Sequence, residues 1–165
     1  MGQLKPISKE SIPRALEKAE RYRLLNEPFL AESICLDILA VDPDDQRALT
    51  IYALSLADQF STGVEGGAPL ARAALDKLSN EFDRLYFHGI VSERRAKAIL
   101  DRGAHDQTAA AWHHIHDAMA YYERADALQR DVANDDAILR YNTCVRLIVA
   151  YGLAEPAPYA DRQLE

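Results

Sequence analysis

The chain has 165 residues, of which 48% are hydrophobic and 27% are charged, a composition typical of one soluble globular domain with a buried core. Its formal net charge of −7 argues against a nucleic-acid partner, since binding to a phosphate backbone requires clustered positive charge. Because it contains neither the ~18 consecutive apolar residues of a membrane span nor, at its start, the apolar segment of a signal peptide, we expect a cytoplasmic protein that does not contact membranes.

Apolar residues recur every three to four positions along nearly the whole chain, and no segment alternates apolar and polar residues as a half-buried strand does. The pattern therefore predicts an all-α protein with seven helices. The predicted helices span residues 11–25, 28–41, 44–59, 69–78, 81–102, 106–130 and 134–151. The link at Asn26 is so short that the first two helices must form an antiparallel hairpin.

Proline and glycine mark the boundaries of the predicted helical domain, which spans residues 11–152. Pro43 ends the second helix, because proline cannot continue the helical hydrogen-bond ladder. The glycine-rich segment 61–68 predicts a flexible loop after the third helix. Residues 1–10 are expected to form an N-terminal arm, and residues 153–165, which include two prolines, a loose C-terminal tail.

Three residues predict features of the core. Gly89 lies in the interior of the fifth helix, where glycine costs ~1 kcal/mol relative to alanine, and this predicts that a neighbouring helix packs closely against it. Cys35 and Cys144 lie among apolar residues at helical spacing. Since two cysteines do not make a disulfide framework, we expect them to be buried free thiols.

Small, aromatic and proline residues recur along the chain at the spacing of a known repeat. The matching positions are Ala19, Tyr22, Ala31 and Pro43 in the first hairpin, and Gly89, Ala118, Tyr122 and Ala125 in the last complete hairpin. Such a pattern, in helix–turn–helix units of about 34 residues, is typical of the tetratricopeptide repeat (TPR) family. The chain resembles that family over roughly residues 12–152. The middle unit is longer than the repeat of that family.

The resemblance implies a short right-handed solenoid of about three antiparallel hairpins with a C-terminal capping helix. The alternative fold is a plain helical bundle. It also implies a concave groove that binds a peptide or helix of a partner protein. The implied groove residues are Leu16, Glu20, Thr50, Leu54, Tyr86, Ile90, Arg94 and Tyr141. Chaperone-binding members of that family hold a terminal carboxylate of their ligand with lysine, asparagine and arginine. This chain has Leu16, Glu20, Thr50 and Leu54 at those positions, so we expect a partly apolar ligand instead.

Other interpretations are open for this set of residues. Tyr86 and Tyr141 can instead be core packing between hairpins, and Arg94 can lie on a solvated helix face with its stem against apolar neighbours. The alternative function is homo-oligomerisation, in which a second copy, for example in a homodimer, fills the groove or covers the open end of the stack.

The histidine-rich segment 113–117 is the main candidate for chemistry. His113, His116 and Asp117 are spaced so that they can share one helix face, as the ligands of a metal site do. The apolar stripe of the same helix directs His113 and Asp117 to solvent, and the chain has no His-Glu-x-x-His motif and no cysteine pair. We therefore expect a non-catalytic protein without metal or cofactor. A metal protein or enzyme built on a helical bundle is a further alternative.

Overall fold

The computed structural model describes residues 2–62, 66–103 and 108–156. These residues form seven α-helices and no strand, which confirms the all-α prediction. The helices are α1 (Ile12–Leu24), α2 (Pro28–Val41), α3 (Gln46–Asp58), α4 (Gly67–Leu75), α5 (Glu81–Asp101), α6 (Thr108–Leu128) and α7 (Asp136–Tyr151). Within the described ranges, no helix is long and apolar enough to cross a membrane.

The helices begin and end close to their predicted limits, and local hydrogen bonds explain two of the differences. α3 begins at Gln46, two residues later than predicted, because the Asp45 carboxylate caps it by accepting from the Ala48 N–H at 2.8 Å. α4 ends at Leu75, three residues earlier than predicted. There the chain tightens into a turn with i→i+3 hydrogen bonds.

The glycine-rich loop predicted for residues 61–68 is shorter than expected. Phe60–Thr62 forms a short 3-10 helix after α3, and α4 already begins at Gly67. Residues 63–65, on which part of the loop prediction falls, lie outside the described residues.

Each helix packs against the next one along the chain, from α1 to α7. In addition α1 packs against α3, α3 against α5, and α5 against α7. Packing of each helix on the next one, and of the odd-numbered helices on one another, is consistent with a helical repeat.

Gly89 lies where α5 meets α6. A Cβ atom at this position would be 2.5 Å from Cε1 of Tyr122, which is closer than side-chain atoms approach one another. The α6 residues around this contact, Ala118 and Ala125, are fully buried, as is Tyr122 itself. The prediction of close helix packing at Gly89 is therefore confirmed, and the aromatic ring occupies the space that the missing side chain leaves.

Both cysteines are buried and free, as predicted. Cys35 on α2 and Cys144 on α7 are each 0% exposed. Burial, together with nearby carboxylates, raises the pKa of each thiol to about 12. Because the thiolate is the nucleophilic form of cysteine, neither side chain is suited to covalent catalysis at neutral pH.

The chain is packed beyond the predicted domain limits at both ends. Ile7, which falls in the predicted arm of residues 1–10, packs against the hydrophobic cluster of α1–α3. A 3-10 helix, Lys9–Ser11, then leads into α1. The arm is therefore partly structured, because its one large apolar side chain near the helix covers the edge of the core.

At the other end, the predicted tail of residues 153–165 begins in the core. Gly152 adopts a left-handed backbone conformation, which lets the Leu153 N–H donate to the Ile148 carbonyl at 3.0 Å. This turn directs the Leu153 side chain, 8% exposed, into the cluster of α5–α7. Residues 157–165 of the predicted tail lie outside the described residues.

Candidate functional site

Side chains from α1, α3, α5 and α7 share one surface, which we term the odd-helix face. The four helices contact one another in order, and ion pairs and a shared hydrophobic cluster join their side chains. The face consists of Glu20, Arg23, Thr50, Leu54, Asp58, Tyr86, Ile90, Glu93, Arg94, Arg140 and Tyr141. It includes every groove residue implied by the TPR resemblance except Leu16.

One carboxylate joins three helices of this face. Arg23 on α1 donates from Nε to Oδ2 of Asp58 on α3 at 2.9 Å, and Arg94 on α5 forms an ion pair with Oδ1 of the same carboxylate. Arg94 also donates to the Leu54 carbonyl at 3.2 Å. Burial lowers the pKa of Arg94, and the nearby Asp58 carboxylate opposes this effect. The alternative of a solvated Arg94 is therefore wrong, since its guanidinium is held between two helices.

A second polar cluster joins α5, α6 and α7. Glu93, which is 7% exposed, accepts from the Tyr122 hydroxyl at 2.6 Å and from Nη1 of Arg140 at 3.2 Å. Burial alone would lower the pKa of Arg140, but the Glu93 carboxylate and a hydrogen bond with Tyr86 together raise it. Burial and the same carboxylate raise the pKa of Tyr122. The Glu93 carboxylate therefore accepts from side chains of two neighbouring helices and joins α5 to both.

Three of the implied groove residues are buried. Leu16, Leu54 and Ile90 are 5%, 7% and 4% exposed. Leu16 belongs to the hydrophobic cluster of α1–α3, and the other two belong to the cluster around α5–α7. These side chains support the face from the core side and present little surface to a partner.

The two implied groove tyrosines are half-buried. Tyr86 stacks on Phe82 with ring centroids 5.8 Å apart and meets Phe87 edge-on at 5.3 Å. Tyr141 packs on the same cluster and lines a cleft of about 200 Å³ between α6 and α7. Tyr86 also lies with its ring centroid 6.0 Å from that of Tyr122. Both tyrosines therefore pack on the core, as in the core-packing interpretation, and both remain partly exposed.

The remaining two implied residues lie toward the α1 end of the face. Glu20 is exposed and pairs with Arg47 of α3 at 3.2 Å, a contact of small energetic value because both side chains are solvated. The Thr50 hydroxyl donates to the Gln46 carbonyl of its own helix at 2.9 Å. The hydrogen bonds of both residues thus stay within α1 and α3, whereas Tyr86 and Tyr141 belong to α5 and α7.

Four charged members of the face were not identified from the sequence: Arg23, Asp58, Glu93 and Arg140. For the first two a signal exists, since Arg23, Asp58 and Arg94 follow one another at intervals of about one repeat of ~34 residues. Residues at equivalent places in successive repeats lie side by side in a stack. For Glu93 and Arg140 we find no comparable signal in the spacing.

The histidine-rich segment on α6 lies apart from this face. His116 stacks on Trp112 with ring centroids 3.7 Å apart, and its Nδ1 lies 3.0 Å from the Trp112 carbonyl oxygen. His113 and Asp117 are exposed. Within residues 2–62, 66–103 and 108–156, no group of three histidine, cysteine, aspartate or glutamate side chains is placed to hold a metal ion.

Comparison with known proteins gives no match to this chain among protein-family models, curated proteins or solved structures. The TPR resemblance therefore stays a prediction from the repeat positions.

Proposed function

We propose that the protein is a TPR-like interaction module without catalytic activity, which binds a peptide or helix of a partner protein on the odd-helix face. The observation that carries the proposal is the pair of half-buried tyrosines, Tyr86 and Tyr141, on a surface that ion pairs hold together across four helices. Buried free thiols at Cys35 and Cys144 fit a reducing compartment such as the cytoplasm.

Aromatic side chains that pack on the core but remain partly exposed are suited to anchoring a partner. Tyrosine offers a large contact area with few rotatable bonds, and residues of this type dominate binding energies at protein interfaces. The packing of Tyr86 on Phe82 and Phe87 leaves its ring little freedom to lose on binding. The cleft beside Tyr141 has the apolar side chains of Ala137 and Ile138 in its wall, which fits an apolar side chain of the ligand.

Rigidity of the surface supports the same proposal. The Asp58 carboxylate links α1, α3 and α5, and the Glu93 carboxylate links α5, α6 and α7. A surface that is already ordered does not pay an ordering cost when a partner binds. The long, half-buried arginine stems of Arg23 and Arg94 also give the face an apolar component between its charges.

The test is capture of partners from a lysate of the cells that produce the protein, quantified by mass spectrometry. We expect the Tyr86→Ala/Tyr141→Ala variant to retain less than a tenth of the partner that the unmodified protein captures, because both aromatic anchors are removed. Tyr151→Ala is the matched control, since Tyr151 is 44% exposed on α7 but is not part of the face. Circular dichroism melting must show that all three proteins are folded. Equal capture by the double variant and the control would reject the odd-helix face as the binding surface.

Homo-oligomerisation is the second candidate, and the surface of α7 favours it. Ile138, Val145 and Val149 follow one stripe of this last helix and are 41%, 40% and 76% exposed. In a stack of hairpins, the terminal helix normally has a polar outer surface. A second copy of the chain would remove this stripe from water.

Self-association predicts a molar mass that rises with concentration in light scattering and reaches that of a dimer. The Val145→Glu/Val149→Glu variant should stay monomeric at the same concentrations, because charges replace the centre of the stripe. Leu36→Glu on α2, where Leu36 is 48% exposed, is the control and should behave as the unmodified protein does. A monomer mass for the unmodified protein at every concentration would exclude this candidate.

A further inference from the structure

A second concave site lies between α4 and α6. It has a volume of about 380 Å³ and is lined by Arg72, Asp117, Ala120, Tyr121 and Arg124. None of these residues belongs to the odd-helix face. We term this site the Arg72–Arg124 pocket, and its lining is mostly polar.

The two arginines of the pocket have no carboxylate partner among the described residues. The six ion pairs of that part of the chain involve neither Arg72 nor Arg124. Two guanidinium groups therefore face one pocket with their charges uncompensated.

Contacts with neutral groups hold both guanidiniums in place. Nη2 of Arg72 donates to the hydroxyl of Ser92 at 3.4 Å, and Ser92 is fully buried on α5. The guanidinium carbon of Arg124 lies 5.7 Å from the centre of the Tyr121 ring, within the range of a cation–π contact. The Tyr121 ring in turn stacks on His88 at 5.3 Å. The positive charges are thus positioned without being neutralised.

The neighbourhood adds further positive charge. Nε of Arg95 donates to Nε2 of His114 at 3.2 Å. Burial lowers the pKa of His114, and the Arg95 and Arg72 guanidiniums lower it further, whereas Asp117 opposes them. The neutral imidazole therefore adds no charge. The pocket lining itself has two arginines and one aspartate, a surplus of one positive charge.

We propose that the Arg72–Arg124 pocket binds a phosphate group. Two guanidinium forks match the several oxygens of a phosphate, which arginine contacts in a bidentate manner. A planar carboxylate offers two oxygens and so fits one guanidinium fork, whereas a phosphate group can accept from both. A nucleic-acid backbone is excluded as the source by the overall charge of −7. The phosphate group belongs either to a free small molecule or to a phosphorylated side chain, which share this chemistry.

The test is titration by isothermal calorimetry at constant ionic strength with three probes. These are inorganic phosphate, a short phosphoserine peptide and the same peptide without the phosphate. We expect saturable binding of the first two probes and none of the third. Arg124→Ala should raise the dissociation constant at least tenfold, and because Arg124 is exposed the variant should stay folded. Arg72→Lys/Arg124→Lys keeps the charge but loses the forks, so it should also bind more weakly.

Two variants distinguish a built site from general attraction to positive charge. Arg14→Ala/Arg21→Ala removes two arginines from the exposed cluster on α1 and should leave the dissociation constant unchanged. Asp117→Asn removes the one carboxylate of the lining and should tighten phosphate binding several-fold. Tighter binding of the phosphoserine peptide than of inorganic phosphate would assign the site to a modified protein side chain, and the reverse to a small phosphate compound. The proposal is overturned if neither probe saturates, or if the α1 variant weakens binding as much as Arg124→Ala does.

Discussion

Replacing Gly89 by alanine is expected to lower the free energy of unfolding by about 2 kcal/mol, although the same substitution in an open helix gains about 1 kcal/mol. The added Cβ would lie 2.5 Å from Cε1 and 2.8 Å from Cδ1 of Tyr122. This ring cannot swing away, because it is fully buried and its hydroxyl donates to Glu93 at 2.6 Å. The helices α5 and α6 must therefore separate, which weakens packing along their whole contact. Urea unfolding followed by circular dichroism measures the change.

Two further variants identify the cause of this loss. Gly67→Ala, at the start of α4, is the matched control, since its Cβ would lie 3.4 Å from Phe60 in ordinary contact, and we expect a change of less than about 0.5 kcal/mol. Tyr122→Leu removes the ring that Gly89 accommodates. In that background Gly89→Ala should cost clearly less, a coupling that a double-mutant cycle measures. A stabilised Gly89→Ala protein would contradict the close packing of α5 on α6.

Replacing Glu93 by alanine is expected to destabilise the protein by about 3 kcal/mol, because breaking a buried charge pair leaves its partners unsatisfied. The Tyr122 hydroxyl would be left without its acceptor in the core, and Arg140 would lose the carboxylate at 3.2 Å. Glu93→Gln keeps an acceptor but not the charge, so about half of the loss is expected. Chemical unfolding of the three proteins at neutral pH provides the measurement.

An exposed ion pair on the same helix is the control for Glu93. Lys97 and Asp101 are 2.6 Å apart, and their side chains are 48% and 45% exposed. We expect Lys97→Ala to change the free energy of unfolding by less than about 0.5 kcal/mol, since solvent screens such pairs. Similar losses for Glu93→Ala and Lys97→Ala would show that the position of a charge on α5, rather than its burial, determines its effect.

Much of the helical architecture follows from local signals in the sequence. Pro43 blocks a helical hydrogen bond, and Gly152 permits a left-handed turn after α7. The Asn80 side chain caps α5 by accepting from the Asp83 N–H at 3.0 Å. Such effects need no knowledge of distant residues. The same applies to Gly89, since the free-energy cost of glycine in a helix interior predicts a closely packed neighbour. That neighbour is Tyr122.

The polar contacts of the candidate site depend on the tertiary arrangement. Asp58 pairs with residues of α1 and α5 that lie about one repeat of ~34 residues away on either side, and Glu93 pairs with Arg140 of α7. Hydrophobic periodicity predicts which face of a helix is buried. It does not predict which charged side chain of a neighbouring helix forms an ion pair with a given residue. The burial of Leu54 and Ile90 likewise depends on the rotation of each helix about its own axis, which the packing of the neighbouring helices determines.

The shared carboxylate of Asp58 has a consequence for how the protein unfolds. In a linear array of helical units, each unit is stabilised mainly by its neighbours, and the interfaces between units determine whether they unfold together. Asp58 accepts from Arg23 on one side and pairs with Arg94 on the other, so one side chain couples the first hairpin to the helix α5. Part of the coupling between α1, α3 and α5 is thus ionic and weakens as salt screens the charges, beside the apolar packing of α3 and α4 on α5.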